Sequence, residues 1–174
     1  QYHQVPATLK DIPAGNEYAY LETPVTKVLV APYDAKQIYM AQISNLDKKY
    51  DPAIEPIRAL YDEYFGGGMN SIVFQEMRET RGLAYSAWAS IMPPSYLKYP
   101  YVLRTQIATQ NDKMIDAVTT FNDIINNMPE SEAAFKLAKD GLTNRLRTER
   151  IIKGDIIWSY INAQDLGQNV DPRI

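Results

Sequence analysis

The chain has no cysteine and a single histidine, His3. The first absence excludes disulfides, thiolate metal sites and thiol catalysis, and it fits a reducing or an oxidising compartment equally. The second is as restrictive. Zinc catalysis needs about three protein ligands drawn from His, Cys and carboxylates. Its helical form sets two His side chains on one face beside a Glu base. One imidazole in a loop-like N-terminal stretch cannot build that. A Ser–His–Asp triad would also have to use His3, and no G-x-S-x-G elbow occurs. No D-x-D-x-D-G loop is present, and the acidic residues are scattered along helix faces, so an all-carboxylate Mg or Ca site has no motif behind it. No apolar run approaches the roughly 18–20 residues that span a bilayer. Basic residues are not in excess: 18 Lys and Arg face 21 Asp and Glu, a net charge of −3. A nucleic-acid binder would need a basic stripe to neutralise phosphates. The expectation is no metal in this chain, no nucleic-acid partner and no membrane span.

What is present suits one domain with a proper core, since 174 residues are 45% hydrophobic and 22% charged. Thirteen tyrosines and eleven prolines are the unusual counts. Tyrosine is amphipathic, so it suits either a surface that holds peptides or the strands and rim of a core. The start, Gln1-Tyr2-His3-Gln4, has neither an initiator Met nor a basic-then-apolar leader. The reading is a processed chain or a piece of a longer one, with residues 1–24 irregular and 25–174 forming a single domain.

Along the chain, Val25–Ala31 reads as a β-branched strand and Lys36–Ser44 as a second strand antiparallel to it, linked by a short turn. Pro52 and Pro56 sit near a helix start. Ile54, Ile57, Leu60, Tyr61, Tyr64 and Phe65 then follow helical spacing, and Gly66-Gly67-Gly68 end the helix. Asn70 or Ser71 caps the next helix, whose buried face is Val73, Phe74 and Met77 and which Gly82 closes in a left-handed conformation. Leu83–Met92 and Tyr99–Thr109 read as strands. Asp112–Met128 reads as a helix with Ile115, Val118, Phe121, Ile125 and Met128 inward. Ser131 caps a helix running to about Glu149, and Ile156, Ile157, Tyr160 and Ile161 mark a last one. Paired strands with grouped helices predict an α+β fold, a mostly antiparallel sheet with helices on one face.

The triple glycine lacks the G-x-x-x-x-G-K-[ST] pattern and follows a helix instead of a strand. A hinge or a close backbone approach fits it better than a phosphate cradle.

Residues 64–88 read YFGGGMNSIVFQEMRETRGLAYSAW. This block resembles the insulinase/pitrilysin-type zinc metallopeptidases, a group that includes mitochondrial-processing-peptidase-like proteins. Gly66–Ser71 match the family's glycine turn, Phe74–Glu79 its second helix, and Arg81–Ser86 its helix-to-strand corner. The resemblance implies homologous domains in facing halves. One half carries an inverted H-x-x-E-H zinc motif, and the other carries an Arg and a Tyr in an R-x-x-x-x-x-x-Y spacing. No H-x-x-E-H occurs here, so the chain matches the non-catalytic, substrate-enclosing side. Its first helix, AIEPIRALYDEYF, offers Glu55, Asp62 and Glu63 but no imidazole.

Carried over, the family's pair falls on Arg78 and Tyr85, which would assist a zinc site on another domain. Gly66, Gly67 and Gly68 become substrate-binding or hinge positions. The implied partners are a zinc-bearing homologous domain or subunit and an unfolded peptide substrate, with zinc in the partner only. Two blander roles stand beside these. Arg78, or Arg81, can simply complement a helix dipole, and Tyr85 can be a packed strand residue. The Leu83–Met92 strand offers an edge for β-augmentation by an extended peptide. The rival readings are a peptidase-like scaffold or peptide-binding subunit without catalytic role, and an unrelated hydrolase with a carboxylate metal site.

Overall fold

A computed structural model of the chain describes residues 32–150 and 152–168, with 8, 10, 11, 15, 21–27 and 29 among the earlier positions. Two compact units divide between Ala31 and Pro32. His3 lies outside the described residues. The strand expected over Val25–Ala31 falls partly outside them too. Its described members, Val25–Lys27 and Leu29, are not in a strand. Leu29 is 93% exposed.

In the second unit three strands form one antiparallel sheet in the order β1-β3-β2. They are β1 (Gln37–Lys49), β2 (Ser86–Met92) and β3 (Pro100–Gln110). The middle strand, β3, pairs with both neighbours, matching Met40 with Ile107 on one side and Ala87 with Ile107 on the other. The inward row across the sheet therefore contains Ala87, Ala89, Thr105 and Ile107, all buried. β1 outruns its expected end at Ser44 because β3 keeps pairing with it. The register breaks between Asn45 and Lys49, where Asp47 takes φ 53°. The Asn45 Oδ1 accepts the Asp47 N–H at 2.9 Å and steadies that kink.

The helices supply the other layer, and local signals set most of their ends. α1 (Glu55–Phe65) carries Pro56 in its first turn, where a missing N–H costs no helical bond. α2 (Ile72–Phe74) is capped by Ser71, whose Oγ accepts the Phe74 N–H, and it runs directly into a π-helix, Gln75–Thr80. α3 (Met114–Asn126) follows a single 3₁₀ turn, α4 (Glu132–Thr148) is capped by Ser131, and α5 is Lys153–Asp165. The core gathers Phe65, Val73, Met77, Ile107, Ala117 and Phe121, each 0% exposed. This is the expected α+β arrangement, with helices on one sheet face.

The phase of α3 differs from the sequence reading. Ala117, Phe121 and Ile124 face the core, while Ile115 is 75% exposed. Small Ala117 permits close approach to the sheet, and the 3₁₀ turn before Met114 resets where the helical face points. α5 shows a second departure: Ile156, Ile157, Trp158 and Tyr160 are all exposed, and none of its residues is buried. Among the described residues no helix is long and apolar enough to cross a membrane.

Candidate functional site

The corner between the π-helix and β2 is tightly fastened. Met77 is fully buried and anchors the segment. Its carbonyl accepts both the Leu83 N–H at 2.8 Å and the Ala84 N–H at 3.1 Å, while the Arg78 carbonyl accepts the Gly82 N–H at 3.1 Å. Gly82 has φ +57°, the left-handed value that this helix ending requires. Leu83 and Ala84 therefore spend their N–H groups on the helix end, and for that reason β2 begins at Ser86 and not at the expected Leu83. Side chains complete the fastening. Thr109 Oγ1 donates to the Leu83 carbonyl at 2.6 Å, Lys113 Nζ to the Gly82 carbonyl at 3.0 Å, and the Tyr85 N–H reaches the Ala108 carbonyl of β3 at 2.9 Å.

This geometry brings Arg78 and Tyr85, seven positions apart in sequence, together on the surface. The Arg78 guanidinium carbon lies 5.6 Å from the Tyr85 ring centre and 5.0 Å from that of Phe74. Tyr85 is 72% exposed. The pair is thus turned to solvent, not into the core. Arg81, the other candidate for a dipole partner, pairs with Glu76 at 3.4 Å instead. A guanidinium fork and a phenol at one exposed corner offer several donors to an oxygen that gains negative charge.

The three glycines occupy the opposite end of the 72–80 helical segment. Gly66 is pressed on the backbone of β2: a methyl group there would lie 2.2 Å from the Ala89 carbonyl oxygen. That is a close approach of backbone to backbone. Gly68 instead borders a cleft of about 120 Å³ between the glycine turn and α4, shared with Glu63, Met69, Ser71, Leu137 and Gly141.

The carboxylates of α1 are all engaged. Glu55 accepts from Tyr101 at 2.6 Å and from Arg58 at 2.9 Å. Asp62 accepts from Arg58 at 2.8 Å, Ser90 at 2.9 Å and the Ile91 N–H at 2.8 Å. Burial still raises the Asp62 carboxyl above its ordinary value, against those bonds and the Arg58 charge. Glu63 pairs with Arg145 of α4 at 2.7 Å. Among the described residues no three His, Cys, Asp or Glu side chains converge to hold a metal ion.

Arg58 also donates to the Ile91 carbonyl at 3.0 Å. Both outward backbone groups of Ile91 are thereby taken, and Gly66 covers Ala89. The outer edge of β2, expected to be open for an added strand, is sealed over this stretch by α1. Spacing could not have shown that, because it depends on where α1 lies in three dimensions. Phe74 was legible only as a core residue. Its contact with the Arg78 guanidinium was signalled by its place four residues before Arg78.

The brace between α1 and the sheet carries a pH signature. Burial, then the bond to Glu55, lifts the Tyr101 phenol to about 12, and burial, then Asp62, lifts Tyr61 to about 12, from an ordinary 10.0. Both folded values lie above the unfolded one. The stability they contribute is therefore whole below pH 10 and is lost as pH rises from 10 through about 12. Alkaline titration followed by phenolate absorbance and circular dichroism should show these two phenols ionising as the fold is lost. Tyr101→Phe should make the fall shallower.

A family profile described as "Peptidase M16 inactive domain" matches residues 8–142, a span that includes the whole glycine turn and corner. No curated protein matches the chain by sequence. A similar fold is seen in the crystal structure of a peptidase M16 inactive domain from Pseudomonas fluorescens, with TM-score 0.56 over 76% of this chain at 18% identity. The chain spans 31% of the length of that one. The insulinase-type resemblance of residues 64–88 and the profile agree: the chain belongs to the peptidase M16 family, as one of its inactive domains.

Proposed function

We propose that this chain is the substrate-enclosing, non-catalytic domain of a zinc metalloendopeptidase, and that it presents Arg78 and Tyr85 to a zinc site carried by another domain or subunit. The observation that carries the reading is the Arg78–Tyr85 corner. The two residues are brought into contact, turned outward and fixed by a hydrogen-bonded helix ending.

The chemistry follows from the charge that peptide hydrolysis creates. Attack on a peptide carbonyl places negative charge on its oxygen. The Tyr85 hydroxyl and the Arg78 guanidinium are donors suited to that oxygen or to the neighbouring peptide carbonyl. The metal, held by the partner's ligands, supplies the activated water. Within this chain, the residues bind and orient the substrate and help to exclude water as the two halves close. The unfolded peptide lies between the halves, and Gly67 and Gly68 belong to the wall beside it, whereas buried Gly66 is a packing position against β2.

The reading is tested by adding the purified chain to its zinc-bearing homologous half. The chain alone should hydrolyse no peptide, and its addition should raise turnover by the zinc half in a saturable manner. Peptide hydrolysis by the rigorously purified chain, or no response of the zinc half to it, would contradict the reading.

A further inference from the structure

We infer that Phe74 is a positioning residue that holds the Arg78 guanidinium toward Tyr85, so that its donors stay available for substrate. The inference rests on the roles just given to Arg78 and Tyr85. It starts from competition for one flexible side chain. Arg78 has a neighbouring acid, Glu79, whose Oε1 lies 3.6 Å from its Nε. That is beyond a good N–H···O bond, and side chains 45% and 53% exposed gain little from pairing in water. Two aromatic rings lie within stacking reach, Phe74 at 5.0 Å and Tyr85 at 5.6 Å.

The two kinds of partner have different consequences. A carboxylate would occupy the edge N–H groups of the guanidinium. An aromatic ring takes only its face and leaves those in-plane donors free for an oxygen of the substrate. Phe74 is well placed to be the fixed ring. Its N–H is held by Ser71 Oγ at 3.4 Å, and its neighbours Val73 and Met77 are fully buried. Tyr85, by contrast, is mostly exposed. Phe74 is itself only partly buried, as a ring that is both anchor and platform must be.

The direct test is the Arg78 Nε–Hε resonance of the chain in solution. In the wild type it should carry a ring-current shift. Phe74→Leu, which keeps the bulk and removes the ring face, should move it toward the value of a free arginine, and Phe74→Tyr should restore it. Should the leucine variant not fold, Phe74→Met makes the same comparison. An unmoved resonance in a folded ring-less variant would overturn the inference. With the zinc-bearing half added, Phe74→Leu should lower kcat about two- to fivefold at nearly constant KM, and should cost nothing further when Arg78 is already Ala. Equal losses in both backgrounds would overturn the positioning role and leave the proposed function standing. Undiminished turnover with Arg78→Ala alone would sink the parent reading, and this one with it.

Discussion

Gly66→Ala should destabilise the protein severely. The added methyl group would lie 2.2 Å from the Ala89 carbonyl oxygen, 2.5 Å from its nitrogen and 2.8 Å from its carbonyl carbon. All three are backbone atoms in a strand buried under α1, so no side chain can swing aside. The backbone at Gly66, with φ −140° and ψ −1°, is not in the left-handed region that favours glycine. Space alone sets the cost. Inserting a group into a filled site costs about 1–3 kcal/mol and occasionally more, and this one requires α1 to lift from β2, breaking the bond that Arg58 donates to the Ile91 carbonyl and the one that Asp62 accepts from the Ile91 N–H. A loss of at least about 3 kcal/mol is expected, a large share of the roughly 5–15 kcal/mol that holds a domain together. Urea unfolding would measure it. Gly68→Ala is the control, since its nearest neighbour is the Glu63 carboxylate at 4.0 Å, and it should stay within about 0.5 kcal/mol of wild type. Gly82→Ala should fall between them. It meets no atom within 4 Å, but φ +57° strains a side chain by roughly 1–2 kcal/mol.

These glycines show which parts of the fold were legible in the sequence. Their punctuation is local, so the starts of α1, α2 and α4 could be read from Pro56, Ser71 and Ser131, and the close of the segment ending at Thr80 from Gly82. The α+β class followed from the grouping of elements. The pairing of β1 with β3 was not legible, since Met40 and Ile107 are joined only through the completed sheet. The phase of α3 was missed because Ile115 and Ala117 compete for the inward side, and apolar character favours the wrong one. The π-helix left no trace in the residue pattern, yet it sets where Arg78 points. The candidate pair itself came from resemblance. What the sequence could not supply was its exposure, which depends on how the corner is fastened to β3.

The second large effect concerns chemistry instead of folding. With the zinc-bearing half present, removing one of the two donors should reduce kcat by about a hundredfold, the lower end of the loss seen when a single oxyanion donor is deleted, or roughly 2.7 kcal/mol. Tyr85→Phe keeps the ring beside Arg78 and removes only the hydroxyl. Arg78→Ala removes the charge and the stack together. Both side chains are outside the core, so thermal stability should stay close to wild type. KM should change less than kcat for Tyr85→Phe, because its hydroxyl is most useful to an oxygen that becomes charged only on the way to the transition state.

One comparison reaches the centre of this account: steady-state peptide turnover by the zinc-bearing half, saturated with either the wild-type chain or its Tyr85→Phe form, so that association is not the variable. A fall of about two orders of magnitude in kcat, with the variant still bound and folded, is the expected result. Equal turnover with the two chains would mean that the corner contributes nothing to bond cleavage.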